Sequence, residues 1–239
     1  MFGLGGLCIG LIIIPAAAIV IRDPAKRIRT TRRISGGSLA SFVWLMSTSG
    51  VLRYRVSGLA NVRDDSNYLI LANHPSLIDV VFLLAWFPEA VCIVKQEIFA
   101  NPFMRMLATQ AGYISNEDPA DMLAMAIQGL KTGESLILFP EGTRTTPGDP
   151  LEFKLVAAAI AVRTGQPILP VVFKLHPTTL TKNNPWYRIP SEKVDFRMDI
   201  QPPFLPLEHI GHAADKRRPD KELNQYLLKY FQTRLVDNA

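Results

Sequence analysis

The sequence predicts an α/β domain with a central, mostly parallel sheet flanked by helices, preceded by an N-terminal membrane-anchoring helical segment. Three observations lead to this prediction. Short apolar or β-branched runs alternate with segments of helical periodicity, the order that builds a sheet covered by helices. Glycines follow several helical segments, where a helix usually ends. An uncharged stretch near the N-terminus is as long as a bilayer is thick.

The N-terminal stretch Phe2–Ile21 is 20 residues without a charge. As a helix it would span ~30 Å, about the thickness of the hydrocarbon core. A cleaved signal peptide is the alternative, because Ala16–Ala18 resembles a cleavage site. A signal peptide begins with basic residues, however, and here none precede the apolar run. We therefore expect a retained anchor.

The net charge of the chain lies in one short segment. Residues Arg22–Arg33 include six basic residues and one acidic residue. The charge of this segment, +5, equals the net charge of all 239 residues. A nucleic-acid-binding protein carries its basic excess on the folded domain, so we expect no nucleic-acid partner. A basic segment beside an apolar one is typical of contact with anionic membrane lipids. The positive-inside rule then predicts the inner (cytoplasmic) membrane of a bacterium, with the folded domain on the cytoplasmic side.

The next segment, Ser38–Val51, has apolar residues at helical spacing and predicts an amphipathic helix. It could lie in the membrane interface with Trp44 at headgroup level, or it could be an ordinary packing helix. The sequence leaves both open. We assign residues 1–53 to the membrane-anchoring region and residues 54–239 to the folded domain.

The first elements of the domain follow from local composition. Tyr54–Val56, which has Arg55 between two residues common in strands, and the apolar run Tyr68–Ala72 predict strands. Leu77–Trp86 predicts a helix that ends before Pro88, because proline cannot continue it. Val91–Val94 is rich in β-branched residues and predicts another strand.

The alternation continues to the C-terminus. The segments Pro102–Ala111, Ala120–Lys131 and Lys154–Arg163 predict helices, each closed by a glycine. The remaining predicted elements are the strands Leu136–Phe139, Ile168–Phe173 and Val194–Ile200 and the amphipathic helix Lys221–Leu235.

The stretch "LILANHPSLIDVV" carries the first candidate site. His74 lies where a strand leaves the sheet, and a neutral imidazole can act as a base near pH 7. Asp79, in the first turn of the next helix, could hold the imidazole in one tautomer. However, Ser76 followed three residues later by Asp79 also fits a capping box. The spacing alone favours the cap, and the two roles can coexist.

The second candidate site is "LILFPEGTR", residues 136–144. An apolar strand runs into a turn in which Gly142 exposes backbone amides, Thr143 offers a hydroxyl and Arg144 offers a forked cation. These groups could hold a phosphate or a carboxylate. A strand-end turn with solvated charges is the alternative.

Together the two stretches resemble the lysophospholipid acyltransferase family of the 1-acylglycerol-3-phosphate acyltransferase type. Asn73, His74 and Asp79 match the family's N-H-x4-D motif, and residues 139–144 match its F-P-E-G-T-R motif. The run "ILPVV" at residues 168–172 is similar to a further motif, and Lys95 stands in a segment similar to the family's K-x-E. The resemblance covers about residues 50 to 200. It reverses the preference at Asp79, which we now interpret as the partner of His74.

The resemblance implies an enzyme that moves an acyl group from a thioester, acyl-coenzyme A or acyl carrier protein, to the hydroxyl of a lyso-lipid. His74 would be the base and Asp79 its orienter. The implied substrate-binding residues are Asn73, Lys95, Glu141, Gly142, Thr143 and Arg144. It implies no metal and no cofactor beyond the acyl-thioester co-substrate. His209 and His212 lie in a polar segment without a nearby cysteine and are expected to be solvated.

One departure from the family bears on the acceptor. The family's second motif commonly runs from a glycine to an arginine associated with the acceptor phosphate, but "GYISNED" at residues 112–118 has no arginine. Glu117 and Asp118 would repel a phosphate there. The acceptor could therefore be a lysophospholipid or a non-phosphate lipid or lipid-linked metabolite. A non-catalytic membrane scaffold and a hydrolase with the same dyad are less favoured alternatives.

Overall fold

The computed structural model describes residues 21–146, 148–182, 190, 192–210 and 218–236. The predicted anchor Phe2–Ile21 lies outside the described residues except for Ile21, and so do Cys8 and His212. The described strands are β1 (Leu52–Ser57), β2 (Leu69–Ala72), β3 (Val91–Val94), β4 (Ile114–Ser115), β5 (Leu136–Leu138), β6 (Ile168–His176) and β7 (Val194–Ile200).

These strands form one seven-stranded sheet in the order β1-β7-β6-β2-β5-β3-β4. Every neighbouring pair is parallel except β6 and β7, which are antiparallel. The described helices are α1 (Pro24–Thr48), α2 (Ile78–Trp86), α3 (Gln96–Ala100), α4 (Pro102–Gln110), α5 (Pro119–Lys131), α6 (Val156–Thr164) and α7 (Pro219–Val236). The mostly parallel α/β sheet that the sequence predicts is confirmed.

The sheet separates two apolar layers. Successive side chains of a strand point to opposite faces, and in the fully buried β2 Ile70 and Ala72 join one layer while Leu69 and Leu71 join the other. The first layer includes buried residues of α1, α2 and α4. The second includes buried residues of α5, α6 and α7. A strand that is apolar on both sides therefore marks the centre of this three-layer fold.

The N-terminal region differs from the two separate segments that the sequence suggests. Residues Pro24–Thr48 form one helix, capped by Asp23, whose side chain accepts hydrogen bonds from the backbone N–H groups of Ala25 and Lys26. One face packs on the domain through Val43, whereas Trp44 is 64% exposed. The strand β1 begins at Leu52, so the predicted boundary between residues 53 and 54 falls inside a strand. Within the described residues, no helix combines the length and the apolarity that crossing a membrane requires.

Two arginines of the basic segment, Arg32 and Arg33, bond to residues of the domain. Arg32 is 3% exposed. Its Nε donates to Ala111 O at 2.6 Å, and its Nη1 donates to Glu89 O at 3.0 Å and to Glu134 Oε1 at 2.7 Å. Arg33 pairs with the Glu89 carboxylate. Arg32 is therefore not available for the headgroup contact expected of this segment, because a buried guanidinium needs fixed acceptors and finds them inside the protein.

Two adjacent glycines give a matched test of how closely α1 packs on α2. A Cβ at Gly36 would overlap the Pro88 side chain and lie 2.8 Å from Leu84 O, whereas a Cβ at Gly37 meets nothing within 4 Å. We expect Gly36→Ala to lower the free energy of unfolding by about 1–3 kcal/mol, because α1 must move away. Gly37→Ala should raise it by up to ~1 kcal/mol, since alanine is the better helix former. Urea denaturation of both variants measures the difference, and equal midpoints would contradict the close packing.

Candidate active site

Polar side chains from three neighbouring strands lie at one edge of the sheet. The strands β2, β5 and β3 are adjacent and parallel, so their carboxyl ends face the same edge. His74 follows β2, Lys95 follows β3 and residues 139–144 follow β5. Functional groups of open α/β sheets collect at this edge. The three strand ends that the sequence singles out are therefore neighbours in the fold.

The imidazole of His74 is oriented by Asp79. His74 Nδ1 lies 3.1 Å from Asp79 Oδ2, and the Asp79 side chain is fully buried while that of His74 is 13% exposed. The imidazole ring also stacks on Phe139, with 4.0 Å between ring centroids. When Nδ1–H donates to the carboxylate, Nε2 is the nitrogen that can accept a proton. This geometry would allow His74 to act as a base with Asp79 orienting its ring.

The same carboxylate oxygen also bonds the backbone just before α2. Asp79 Oδ2 accepts the backbone N–H of Ser76 at 2.8 Å. Ser76 Oγ donates to Thr179 O at 2.8 Å and accepts the N–H of Ile78 at 3.5 Å, the upper limit for a hydrogen bond. One oxygen of Asp79 therefore makes both the His74 contact and the acid half of the predicted capping box, while the Ser76 hydroxyl meets the start of α2 only through the long bond from Ile78.

Burial sets the protonation of this pair. Burial lowers the pKa of His74 to about 4, opposed by Glu141 and reinforced by the positive charges of Arg144 and Lys95. Burial raises the pKa of Asp79 above its ordinary value, against the Ser76 hydrogen bond and the Arg144 charge. The imidazole of His74 is consequently neutral at pH 7 and available as a base.

Asn73 and Glu141 have other contacts than those expected of substrate-binding side chains. The Asn73 amide donates to Phe173 O at 2.9 Å and accepts from Phe173 N at 2.7 Å, so it extends the pairing of β2 with β6. Glu141 Oε1 accepts the backbone N–H of His74 at 2.8 Å, and Oε2 accepts from Thr145 Oγ1. Both side chains are buried. Their bonds hold the backbone around His74 in place.

The other residues predicted to bind substrate are more accessible. Lys95 is exposed at the start of α3, close enough for its charge to lower the pKa of His74. Gly142 is exposed with φ +69°, a conformation that favours glycine, and Thr143 and Arg144 are half-buried. Arg144 Nη1 donates to Leu180 O at 2.8 Å and to Thr181 O at 3.1 Å.

The "GYISNED" segment has its own contacts. Asp118 caps α5 by accepting the N–H groups of Ala120 and Asp121. Glu117 Oε1 accepts from Gln96 Nε2 at 2.5 Å, one residue beyond Lys95. A cleft of about 360 Å³ lies here, with Arg105 and Glu117 among its lining residues. The cleft beside the segment that lacks the family arginine is thus lined by both a basic and an acidic side chain.

Within the described residues, no group of three His, Cys, Asp or Glu side chains is arranged to hold a metal ion. Cys92 is a buried free thiol whose pKa burial raises to about 12, which keeps it protonated. His209 stacks on Tyr226.

Sequence reasoning missed several residues around His74. Phe139 belongs to the recognised motif, but its stacking on His74 was not predicted. Thr145 directly follows the "PEGTR" turn and could have been found from that adjacency. The segment Thr179–Thr181 lies 103 residues from Ser76, and no local pattern links the two.

Comparison with known proteins adds to this geometry. A family model described as Acyltransferase matches residues 53–174. The chain is 32% identical to the 1-acyl-sn-glycerol-3-phosphate acyltransferase of Pseudomonas aeruginosa, over 54% of this chain and 52% of that protein. It is 31% identical to the enzyme of that name from Helicobacter pylori, over 68% of each chain. The match spans about half the length of the Pseudomonas and Borreliella burgdorferi relatives.

The fold also has a relative among solved structures. It resembles the crystal structure of the 1-acyl-sn-glycerophosphate (LPA) acyltransferase, PlsC, from Thermotoga maritima with a TM-score of 0.70 and 24% sequence identity. The match covers 99% of this chain and 93% of that chain. The two proteins share the mostly parallel sheet and its flanking helices.

Proposed function

The chain belongs to the acyltransferase family, and on that premise we propose that it transfers a fatty acyl group from a thioester to the hydroxyl of a lysophospholipid of the 1-acylglycerol-3-phosphate type. The observation that carries the proposal is the His74 Nδ1 to Asp79 Oδ2 contact of 3.1 Å at the carboxyl edge of the sheet. The donor would be acyl-coenzyme A or acyl carrier protein.

The proposed reaction uses His74 Nε2 as a general base. The acceptor hydroxyl oxygen attacks the thioester carbonyl carbon while Nε2 takes its proton, and Asp79 stabilises the resulting imidazolium. The tetrahedral intermediate collapses with cleavage of the carbon–sulfur bond, and the imidazolium returns the proton to the leaving thiolate. The products are an ester and a free thiol, so no covalent acyl-enzyme is required.

The surrounding residues have separate proposed roles. Lys95, Gly142 and Thr143 contact the anionic head group of the acceptor, and Arg144 adds positive charge beside them. Asn73 and Glu141 position the backbone of His74 rather than touch substrate, because their polar atoms are bonded inside the protein.

A second acceptor class is supported by the residues that replace the family arginine. Asp118 is a helix cap, and the residues that line the neighbouring cleft include both Glu117 and Arg105. Such a site suits a head group without a free phosphate. This alternative keeps the acyl transfer and changes only the acceptor.

The test is an acyl-transfer assay with purified protein, acyl-coenzyme A or acyl carrier protein, and two acceptors. We expect phosphatidate from lysophosphatidate, at a higher kcat/KM than with a lyso-lipid that lacks the phosphate. Turnover of the phosphate-free acceptor alone would assign the second class. Absence of product with both acceptors would contradict acyl transfer and favour the scaffold alternative, and release of free fatty acid would indicate a hydrolase.

We also propose attachment to the inner membrane through the residues that precede α1. The exposed basic residues on α1 and the exposed Trp44 support a membrane-facing surface. The protein should remain in the membrane fraction after a high-salt wash, because salt screens only the headgroup attraction. Recovery in the soluble fraction would contradict an apolar anchor.

A further inference from the structure

The turn that carries His74 and Asp79 is held by a distant part of the chain. Thr179, Leu180 and Thr181, here named the clamp segment, lie beside it. Ser76 Oγ donates to Thr179 O at 2.8 Å, and Leu77 N donates to Leu180 O at 3.2 Å. Ser76 and Leu77, two successive residues between His74 and Asp79, are therefore bonded to two successive carbonyl groups of the clamp segment.

Arg144 fastens the clamp segment from the other side. Its Nη1 donates to Leu180 O at 2.8 Å and to Thr181 O at 3.1 Å. Leu180 O thus accepts from both Leu77 and Arg144. Charged donors form stronger hydrogen bonds than neutral ones. The link between the "PEGTR" turn and the "HPSLID" turn runs through this carbonyl.

The backbone conformation and the burial of the clamp segment indicate that it is held in one position. Leu180 has φ +53°, a left-handed conformation that is unfavourable for leucine and persists only where surrounding contacts impose it. Ser76 is fully buried, and Thr179 and Thr181 are 7% and 4% exposed. Such strain is found where a structure fixes a functional geometry.

We propose that Thr179–Thr181 fixes the position of the His74–Asp79 pair, and that Arg144 is a positioning residue that acts through this segment. The inference rests on the proposed function for its kinetic readout. It gives Arg144 a role apart from binding the acceptor phosphate. The guanidinium fixes the backbone of the clamp segment, and that backbone fixes the turn that follows His74.

The test compares Ser76→Ala, Arg144→Lys and the control Arg163→Gln, which changes an exposed arginine on α6. Ser76→Ala removes one oxygen from a buried site that substrate does not reach. Arg144→Lys keeps the charge on a shorter side chain, whose ammonium no longer reaches the position from which Nη1 donates to both carbonyls. We expect both to lower kcat by about 10- to 100-fold with KM for the acceptor within about threefold, because a misplaced base reduces turnover rather than binding. The control should match the wild type.

The pKa of His74 can be measured without enzymatic activity, so it tests this inference independently of the proposed function. His74 faces Asp79, Glu141, Arg144 and Lys95, and its burial keeps its pKa low. Loosening the turn admits water, so NMR titration should find the His74 pKa higher in Ser76→Ala than in the wild type, with the resonance assigned by its loss in His74→Gln. Ser76→Ala adds no charge, and any rise in the pKa there reports solvation of the imidazole.

Two results would overturn the inference. One is an unchanged His74 pKa in both variants. The other is an Arg144→Lys variant whose KM rises for lysophosphatidate only, with kcat retained, together with an unaffected Ser76→Ala; that would make Arg144 a phosphate ligand alone. If the wild type turns over no acceptor, the proposed function fails while the titration still decides whether the clamp segment fixes His74.

Discussion

Replacing His74 with alanine is expected to lower kcat by about 10²- to 10⁴-fold, the usual contribution of a positioned general base. Without Nε2, the acceptor hydroxyl must attack the thioester while still protonated. Substrate affinity should change less, because the residues proposed to contact the head group remain. The measurement is kcat and KM for the acceptor that the wild type uses, with circular dichroism to verify the fold.

His209→Ala is the matched control for this variant. Both histidines stack on an aromatic ring, His74 on Phe139 at 4.0 Å and His209 on Tyr226 at 4.4 Å between centroids. Each substitution therefore loses a similar ring contact, but His209 is not at the proposed site. Activity should persist in His209→Ala. A folded His74→Ala protein that forms product at the wild-type rate would disprove the base assignment.

Asp79→Asn should reduce activity and increase stability at the same time. The asparagine oxygen can still accept the Ser76 N–H, but a neutral amide cannot stabilise the imidazolium that forms during transfer. By comparison with the orienting acid of a serine protease, we expect kcat to fall by about 10³- to 10⁴-fold. This would be the largest effect of any conservative substitution at the site.

The stability gain follows from the buried carboxyl. Burial raises the pKa of Asp79 in the folded state. At every pH above its unfolded pKa of ~3.9, the carboxyl group therefore favours the unfolded state, in which it ionises more easily. Asparagine removes this cost. The variant should therefore have a higher Tm at pH 7–8, and the difference should shrink as the pH falls toward 4.

Thermal denaturation across this pH range measures the prediction. Each kcal/mol gained corresponds to about 2–4 °C in a chain of this size. A variant that is less stable than the wild type at pH 7.5 would mean that the ionised Asp79 contributes favourably to the fold, and it would contradict the assigned direction of the pKa.

The sheet could be predicted because its strands are locally distinct. Val91–Val94 and Val194–Ile200 have the predicted bounds, since each is an apolar or alternating run with clear ends. The strand β4 has two residues and the helix α3 has five, too short to leave a periodicity. The family resemblance is confirmed by the matching family model.

The site was less predictable than the sheet. The spacing of Ser76 and Asp79 alone favours a cap over a dyad, and only the tertiary geometry places one carboxylate oxygen of Asp79 in contact with both His74 and the Ser76 backbone. Asn73 and Glu141 belong to the recognised motifs, yet their bonding partners, Phe173 and the His74 backbone, depend on the tertiary fold. Similarly, α1 continues through Gly36 because its packing on α2 outweighs the low helix propensity of glycine.

The pairing of β1 with β7 determines when this edge of the sheet can form during synthesis on the ribosome. Leu52 pairs with Val194, and Ser57 with Asp199, which is 142 residues further along the chain. At ~5–20 residues per second, translation reaches that partner about 7–30 s after β1 has been made. During this interval β1 has no neighbour in its own sheet and exposes unpaired backbone. Chaperone demand during synthesis should therefore centre on Leu52–Ser57, which is an edge strand in the finished protein.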